Sequence, residues 1–408
     1  MNDMKAVLRE KLAAISTIIE EKYTGESHTG ILAGLSGLAL FQLYYSRFLD
    51  RDEYADTGLA ILTRCIDHIN AGYTFPTYCT GIAGMGWTLE HLKAQGFIEV
   101  DTDGRLAETD AYLYTVMTED LSRNHYDFLH GGIGYAYYFL KRYEHTTSET
   151  LKKRYKNYLS ASITFLNNFA ETEGNTVKWA SAAKDSGEKR YNLGLAHGIS
   201  SLVNYLSGLY VFEDFKGETE HMLRGSINYM LSVLSDDPDD FSLCPNWIKK
   251  DEPQPQKEKS RLAWCYGDPG VGISLWQASK AMNDPVLREK AIALLKHAAR
   301  RTSPEASLVM DAGICHGSCG NAQIFNRIFR ETGIGEFKEA ALFWMEDTLK
   351  KALHKDGYAG YKQWRGSEKK WKPELSLLEG IAGIGLAIIS FLSGNNEMMA
   401  WDECLMMS

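Results

Sequence analysis

HGGIGYAYYF, residues 130–139, is a run of glycine, alanine and large apolar side chains led by a histidine. The same kind of box recurs as AGLSGLAL at 33–40, TGIAGMGWTL at 80–89, HGISSLVNYL at 197–206, YGDPGVGISL at 266–275, HGSCGNAQIF at 316–325 and EGIAGIGLAI at 379–388. The leading glycines, Gly34, Gly81, Gly131, Gly198, Gly267, Gly317 and Gly380, are 47, 50, 67, 69, 50 and 63 residues apart. Self-similarity at such a spacing signals a repeat architecture. Each box opens an apolar segment, and a helix apolar all round is stable only when buried. Amphipathic segments precede the boxes, at 3–22, 53–70, 151–170, 217–234, 285–301 and 336–353. In the last, Phe337, Ala340, Ala341, Phe343, Trp344, Leu349 and Leu353 recur near helical spacing, with Lys and Glu between them. The pattern predicts an all-α fold: an α/α toroid, or double-layered barrel, of seven helical hairpins forming one domain over 1–408. Inner helices are expected to start near 34, 81, 131, 198, 267, 317 and 380. Glycine at each helix mouth lets backbones approach closely and permits a positive φ. The segments 171–192, 236–261 and 355–375 exceed the minimal repeat and read as loops or short β-hairpins on one rim, with NTVKWAS at 175–181 the hairpin candidate.

The bulk properties narrow the function classes. The chain has 408 residues, 44% of them hydrophobic, enough apolar material for a large core. Its net charge is −9 and no basic stripe stands out, which argues against nucleic acid as a partner. The first residues, MNDMKAVLREKLAAIS, carry charges throughout and read as no signal peptide. The longest apolar stretches, near 31–45 and 381–392, fall short of the roughly 18 residues a spanning helix needs, so no transmembrane segment is expected. Seven cysteines, odd in number and irregular in spacing, argue against a disulfide scaffold and fit a reducing cytoplasm.

The repeat supplies a coordinate system for chemistry. Directly before the leading glycines stand Ala33, Thr80, His130, His197, Tyr266, His316 and Glu379. One step earlier come Leu32, Cys79, Leu129, Ala196, Cys265, Cys315 and Leu378. Cysteine and histidine are thus concentrated at one register, the hub of the expected toroid. Cys265, Cys315 and His316 offer two thiolates and an imidazole from consecutive repeats, the ligand set of a zinc site with its fourth position open. Sulfur ligands favour zinc over magnesium or calcium, and bound metal deprotonates a thiol near neutral pH. A site closed by Cys319, one turn beyond Cys315, is the competing arrangement; Cys79 lies further round the ring.

The motifs WCYG at 264–267, CHGSCG at 315–320, NLGLAHG at 192–198 and YDFLHGG at 126–132 resemble those of the lanthionine synthetase C family. The resemblance runs through all seven boxes in order. It implies an α/α toroid with one Zn²⁺ per chain, held by Cys265, Cys315 and His316. It implies a lanthionine-forming cyclase, adding peptide cysteine thiolates to dehydroalanine or dehydrobutyrine in a dehydrated, leader-bearing precursor peptide. Asp127, His197, Arg261 and Tyr266 match the family's other active-site positions. The roles implied are proton transfer for His197, orientation of His197 for Asp127, charge stabilisation for Arg261, and a hydrogen bond or pocket wall for Tyr266. Plainer roles stay open for each: core histidine, helix cap, solvated arginine and hub packing. His130 shares the register and has no assigned role. A lanthipeptide dehydratase and an exporter are implied partners, placing the protein in the cytoplasm or peripherally at the inner membrane through them. Two other readings compete: a relative that binds or transfers glutathione, and a non-catalytic zinc-containing binding module. A toroidal glycosidase would need two carboxylates across a cleft, and the hub register holds only Glu379.

Overall fold

A computed structural model describes residues 2–182, 187–252 and 259–408. Residues 183–186 and 253–258, parts of the predicted 171–192 and 236–261 loops, lie outside the described residues. Among the described residues, fourteen helices of twelve residues or more alternate along the chain. Those that precede the boxes are α1 (Asn2–Lys22), α3 (Glu53–Asn70), α5 (Ala107–Ser122), α7 (Glu149–Phe169), α9 (Glu213–Ser232), α11 (Pro285–Ala299) and α13 (Gly335–Lys350). The boxes themselves open α2 (Leu35–Leu49), α4 (Ile82–Ala94), α6 (Gly132–His145), α8 (Ile199–Tyr210), α10 (Asp268–Ala281), α12 (Ser318–Thr332) and α14 (Ile381–Ser393). Among the described residues, no helix is long and apolar enough to cross a membrane.

Burial separates the two classes. Every residue of α2 from Leu35 to Ser46 is buried, whereas α3 buries only Gly58, Ile61, Leu62 and Cys65. The amphipathic helix α5 was not singled out from the sequence. Its core-facing stripe is narrow, Asp110, Leu113, Met117 and Leu121, and one of its four members is charged. Helix α13 ends at Lys350, so Leu353, read as part of its apolar stripe, is instead 77% exposed.

The chain divides into two compact units. One comprises Met1–Ile98, Ala299–Met406 and Ser408; within it α14 packs against both α2 and α12, and α2 against α4. The other comprises Glu99–Ala298 and Met407; within it α8 packs against both α6 and α10. Among the described residues, seven short strands interrupt the helices. β1 (Glu171–Glu173) pairs with β2 (Thr176–Lys178), which makes the NTVKWAS region one arm of a hairpin. β3 (Ser181–Ala182), β4 (Lys189–Asn192) and β5 (Trp247–Lys249) form one antiparallel sheet, and β6 (Gln363–Arg365) pairs with β7 (Lys370–Lys372).

The loop into each inner helix explains the glycines. The amide after the leading glycine bonds the carbonyl six residues before that glycine: Leu35 to His28 at 2.9 Å, Ile82 to Phe75 at 2.9 Å, Gly132 to His125 at 2.9 Å, Ser318 to Asp311 at 3.1 Å and Ile381 to Glu374 at 3.1 Å. That fold-back drives the carbonyl onto the glycine, where a Cβ on Gly380 would lie 2.4 Å from the Glu374 oxygen. A positive φ, the other reason anticipated for glycine, holds at Gly267 (φ 87°), while Gly81, Gly131, Gly198 and Gly380 are extended. Close approach is therefore the general cause. Gly380→Ala is expected to cost about 2–3 kcal/mol, read as a lowered urea midpoint. The control Gly217→Ala, a helical position in α9 with nothing within 4 Å of the added methyl, should gain roughly 0.5–1 kcal/mol.

Candidate active site and metal centre

In six of the seven boxes the residue two before the leading glycine is tied to its counterpart in another box through the main chain. The Cys315 amide donates to Leu378 O (2.8 Å), Leu378 to Leu32 O (2.8 Å), and Leu32 to Cys79 O (3.1 Å). In the other unit, Ala196 donates to Cys265 O (3.4 Å). These bonds use no side chain, so the register can carry cysteine without disturbing the fold. One sulfur each from Cys265 and Cys315 and one ring nitrogen from His316 lie within 4.8 Å of one another. Atoms bonded to one zinc at about 2.0–2.3 Å must stand roughly within 4 Å of each other, so a small contraction makes this set a ligand shell. The donors suit such an ion: two soft thiolates would balance its charge and an imidazole would complete the protein's share.

Cys319, the alternative fourth ligand, takes no part in this cluster. It is fully buried on α12 with its sulfur 3.4 Å from Thr348 Oγ1 on α13, and burial pushes its thiol up to about 12. Burial likewise lifts Cys65 to about 12 and raises Cys244 and Cys404 well above the ordinary thiol value. Cys315 is half-buried, and the other six cysteines are buried. Iodoacetamide at pH 8 is therefore expected to alkylate Cys315 first and to leave Cys65, Cys244, Cys319 and Cys404 unmodified, as peptide mass mapping would read. Added zinc should slow the reaction at Cys315.

His197 and Asp127 meet in the second unit, His197 Nδ1 standing 2.6 Å from Asp127 Oδ2. The other carboxylate oxygen accepts the amides of Leu129 (2.8 Å) and His130 (2.9 Å). The cap reading of Asp127 is thus half right: it caps the loop, while Gly131 is the helix N-cap. Thr77 and Ser376 occupy the same register and accept the equivalent amides of Thr80 (3.2 Å) and Glu379 (3.4 Å) through one hydroxyl. A single oxygen satisfies the loop, so the second oxygen of Asp127 serves the histidine. Burial opposes ionisation of Asp127, but the His197 ring and the His130 amide outweigh it and hold the carboxyl below its usual range. The His197 ring lies 6.2 Å from that of Tyr266 and stacks at 6.2 Å on His130.

Tyr266 is held by a residue the sequence reading left without a role. Asn192, at the end of β4, donates from Nδ2 to the Tyr266 hydroxyl (3.0 Å) and accepts the Gly194 amide (2.9 Å). Burial keeps Tyr266 above its ordinary pKa, so it stays a neutral phenol. Arg261 is half-buried; its carbonyl packs against Gly267, where a Cβ would come within 2.4 Å. Of the four positions, Asp127, His197 and Tyr266 are grouped by their side-chain contacts.

Asp311 is the second unanticipated residue. It is buried, accepts the amides of Gly313 (3.0 Å) and Trp364 (3.0 Å), and lies 3.5 Å from His316 Nε2. Beside it, Arg365 of β6 pairs with Glu379 (3.2 Å) and Glu374 (3.5 Å), so the hub glutamate is neutralised by the 355–375 insertion. Asn192, Arg261, Asp311 and Glu374 all stand six residues before a leading glycine. That register, six before the glycine rather than one or two, was the signal available in the sequence.

The fold has counterparts among known proteins. The structure is similar to that of nisin cyclase, with a TM-score of 0.73 and 19% sequence identity over 99% of this chain and 98% of that one. At this identity the likeness establishes the fold, the α/α toroid. A D-mannose isomerase (TM-score 0.42, 10% identity, 67% of this chain and 71% of that one) and a sugar epimerase from a ruminal bacterium (0.45, 10%, 96% and 99%) align more loosely and carry no argument. A family profile described as lanthionine synthetase C-like protein matches residues 28–406. With that profile spanning nearly its whole length, the chain belongs to the lanthionine synthetase C-like family.

Proposed function

We propose that the chain is a zinc-dependent lanthionine-forming cyclase, closing thioether rings in a dehydrated peptide. The observation that carries the reading is the convergence of Cys265, Cys315 and His316 within 4.8 Å. Zinc held there would lower the pKa of an incoming cysteine thiol and keep its sulfur nucleophilic. The remaining work falls to the chain's own side chains. Asp127, ionised, accepts from His197 Nδ1 and leaves Nε2 to take the thiol proton. The sulfur bonds the β-carbon of the dehydro residue as the carbon–carbon π bond breaks, leaving an enolate. The Tyr266 hydroxyl, which accepts from Asn192, has its own proton to donate toward that oxygen, and the Arg261 guanidinium supplies positive charge. His197 then returns the proton to the α-carbon. One sulfur–carbon bond forms, one π bond is lost, and the thiol proton ends on carbon, so mass is conserved.

On this reading residues 1–408 work as one domain in the cytoplasm, receiving peptide from a dehydratase and passing it to an exporter. The test incubates the purified protein with a dehydrated, cysteine-containing peptide in the presence of glutathione. A cyclase gives product of unchanged mass that has lost its alkylatable thiols. A product heavier by one glutathione per dehydro residue would instead assign the glutathione-transferring activity. Unmodified peptide would leave a binding module.

A further inference from the structure

We propose that Asp311 is a positioning residue for His316: a buried carboxylate pinned by two main-chain amides that takes Nε2–H and leaves Nδ1 as the atom offered to a metal. The inference rests on the metal reading above and adds a residue to it.

The loop does not need this side chain. In five of the seven boxes the residue six before the glycine closes the loop through its main-chain carbonyl, and the side chains at that register range over histidine, phenylalanine, aspartate and glutamate. Asp311 makes that main-chain bond too, to Ser318 at 3.1 Å. Its carboxylate is therefore available for something else, and two segments aim it. Gly313 N binds Oδ1 and Trp364 N, from β6, binds Oδ2, both at 3.0 Å. Oδ2 is the oxygen that lies 3.5 Å from His316 Nε2. A neutral imidazole has one lone pair to give, on whichever nitrogen lacks hydrogen, and the acceptor at the other nitrogen decides which that is. A carboxylate at Nε2 selects the tautomer whose free lone pair is on Nδ1. Because Trp364 holds that carboxylate, the β6–β7 hairpin becomes part of the support of the metal ligand.

Nitrogen NMR of the full-length, metal-free protein labelled with ¹⁵N-histidine reads the tautomer directly. His316 protonated on Nε2 is the expected result, and protonation on Nδ1 overturns the proposal. Asp311→Asn should weaken zinc binding by roughly ten- to a hundredfold in chelator competition. It should also change the His316 nitrogen shifts, which a purely structural aspartate would not alter. Affinity within twofold of wild type, in a folded variant, overturns the proposal as well. If the variant does not fold, the wild-type tautomer decides. A wild-type protein that binds no zinc overturns the metal reading instead, while the tautomer still judges the hold of Asp311 on the ring.

Discussion

The Cys315→Ala protein is expected to keep its helix content, to bind zinc about a hundred- to a thousandfold more weakly, and to form no thioether rings. The fold should survive because the Cys315 amide, which bonds Leu378 O at 2.8 Å, is retained in alanine. Four-ligand zinc sites in small peptides bind with about 10–16 kcal/mol, so one ligand carries about 3–4 kcal/mol, and each 1.4 kcal/mol is a factor of ten. Losing one of three protein ligands also leaves an ion without the charge balance that two thiolates provide. Circular dichroism checks the first expectation, chelator competition the second and mass spectrometry of alkylated product the third. Cys319→Ala is the contrasting change. Its sulfur faces Thr348 on the neighbouring helix, so the variant should lose some stability and keep full zinc affinity.

His197→Asn should slow ring closure by about 10²–10⁴-fold at unchanged zinc content, the range typical when a positioned acid–base group is lost. Its loop is held by main-chain contacts, and Asp127 keeps its bonds to the Leu129 and His130 amides. Asp127→Asn should produce a loss of the same order, because an amide cannot be relied on to hold the Nδ1–H tautomer. The pH dependence separates the pair. Asp127 has a carboxyl pKa below its unfolded value, so its stabilising contribution is present above the unfolded value and is lost as pH falls through the lower folded one. Between about pH 5 and 8 the carboxylate therefore stays charged, and a fall in rate across that window belongs to imidazole protonation. In Asp127→Asn that acid limb should move to lower pH, because the neighbouring charge that favours imidazolium is gone.

Much of this was legible from the chain alone, for reasons that differ by level. The seven glycine boxes reveal the inner helices because those helices are buried all round, which leaves no room for polar residues to blur the pattern. The amphipathic helices were harder. α5 escaped because its buried stripe contains Asp110, whose charge is met by Arg142 at 3.2 Å and by the Tyr138 hydroxyl at 2.6 Å, partners distant in sequence. At the site, the grouping of Cys265, Cys315 and His316 was visible because repeats put equivalent residues in equivalent places. Asn192 and Asp311 were not, since each acts by holding another side chain, and sequence spacing does not disclose a bond such as Asn192 to Tyr266 across 74 residues. Arg261 remains an assignment by family pattern, which its half-buried place before Gly267 accommodates.

The most direct test of the central claim is zinc X-ray absorption on the purified protein, with and without a thiol-containing peptide. The account predicts one zinc per chain bound by two sulfurs and lighter atoms, gaining a third sulfur when the peptide is added. Absence of zinc, or a shell already containing three protein sulfurs, would contradict it.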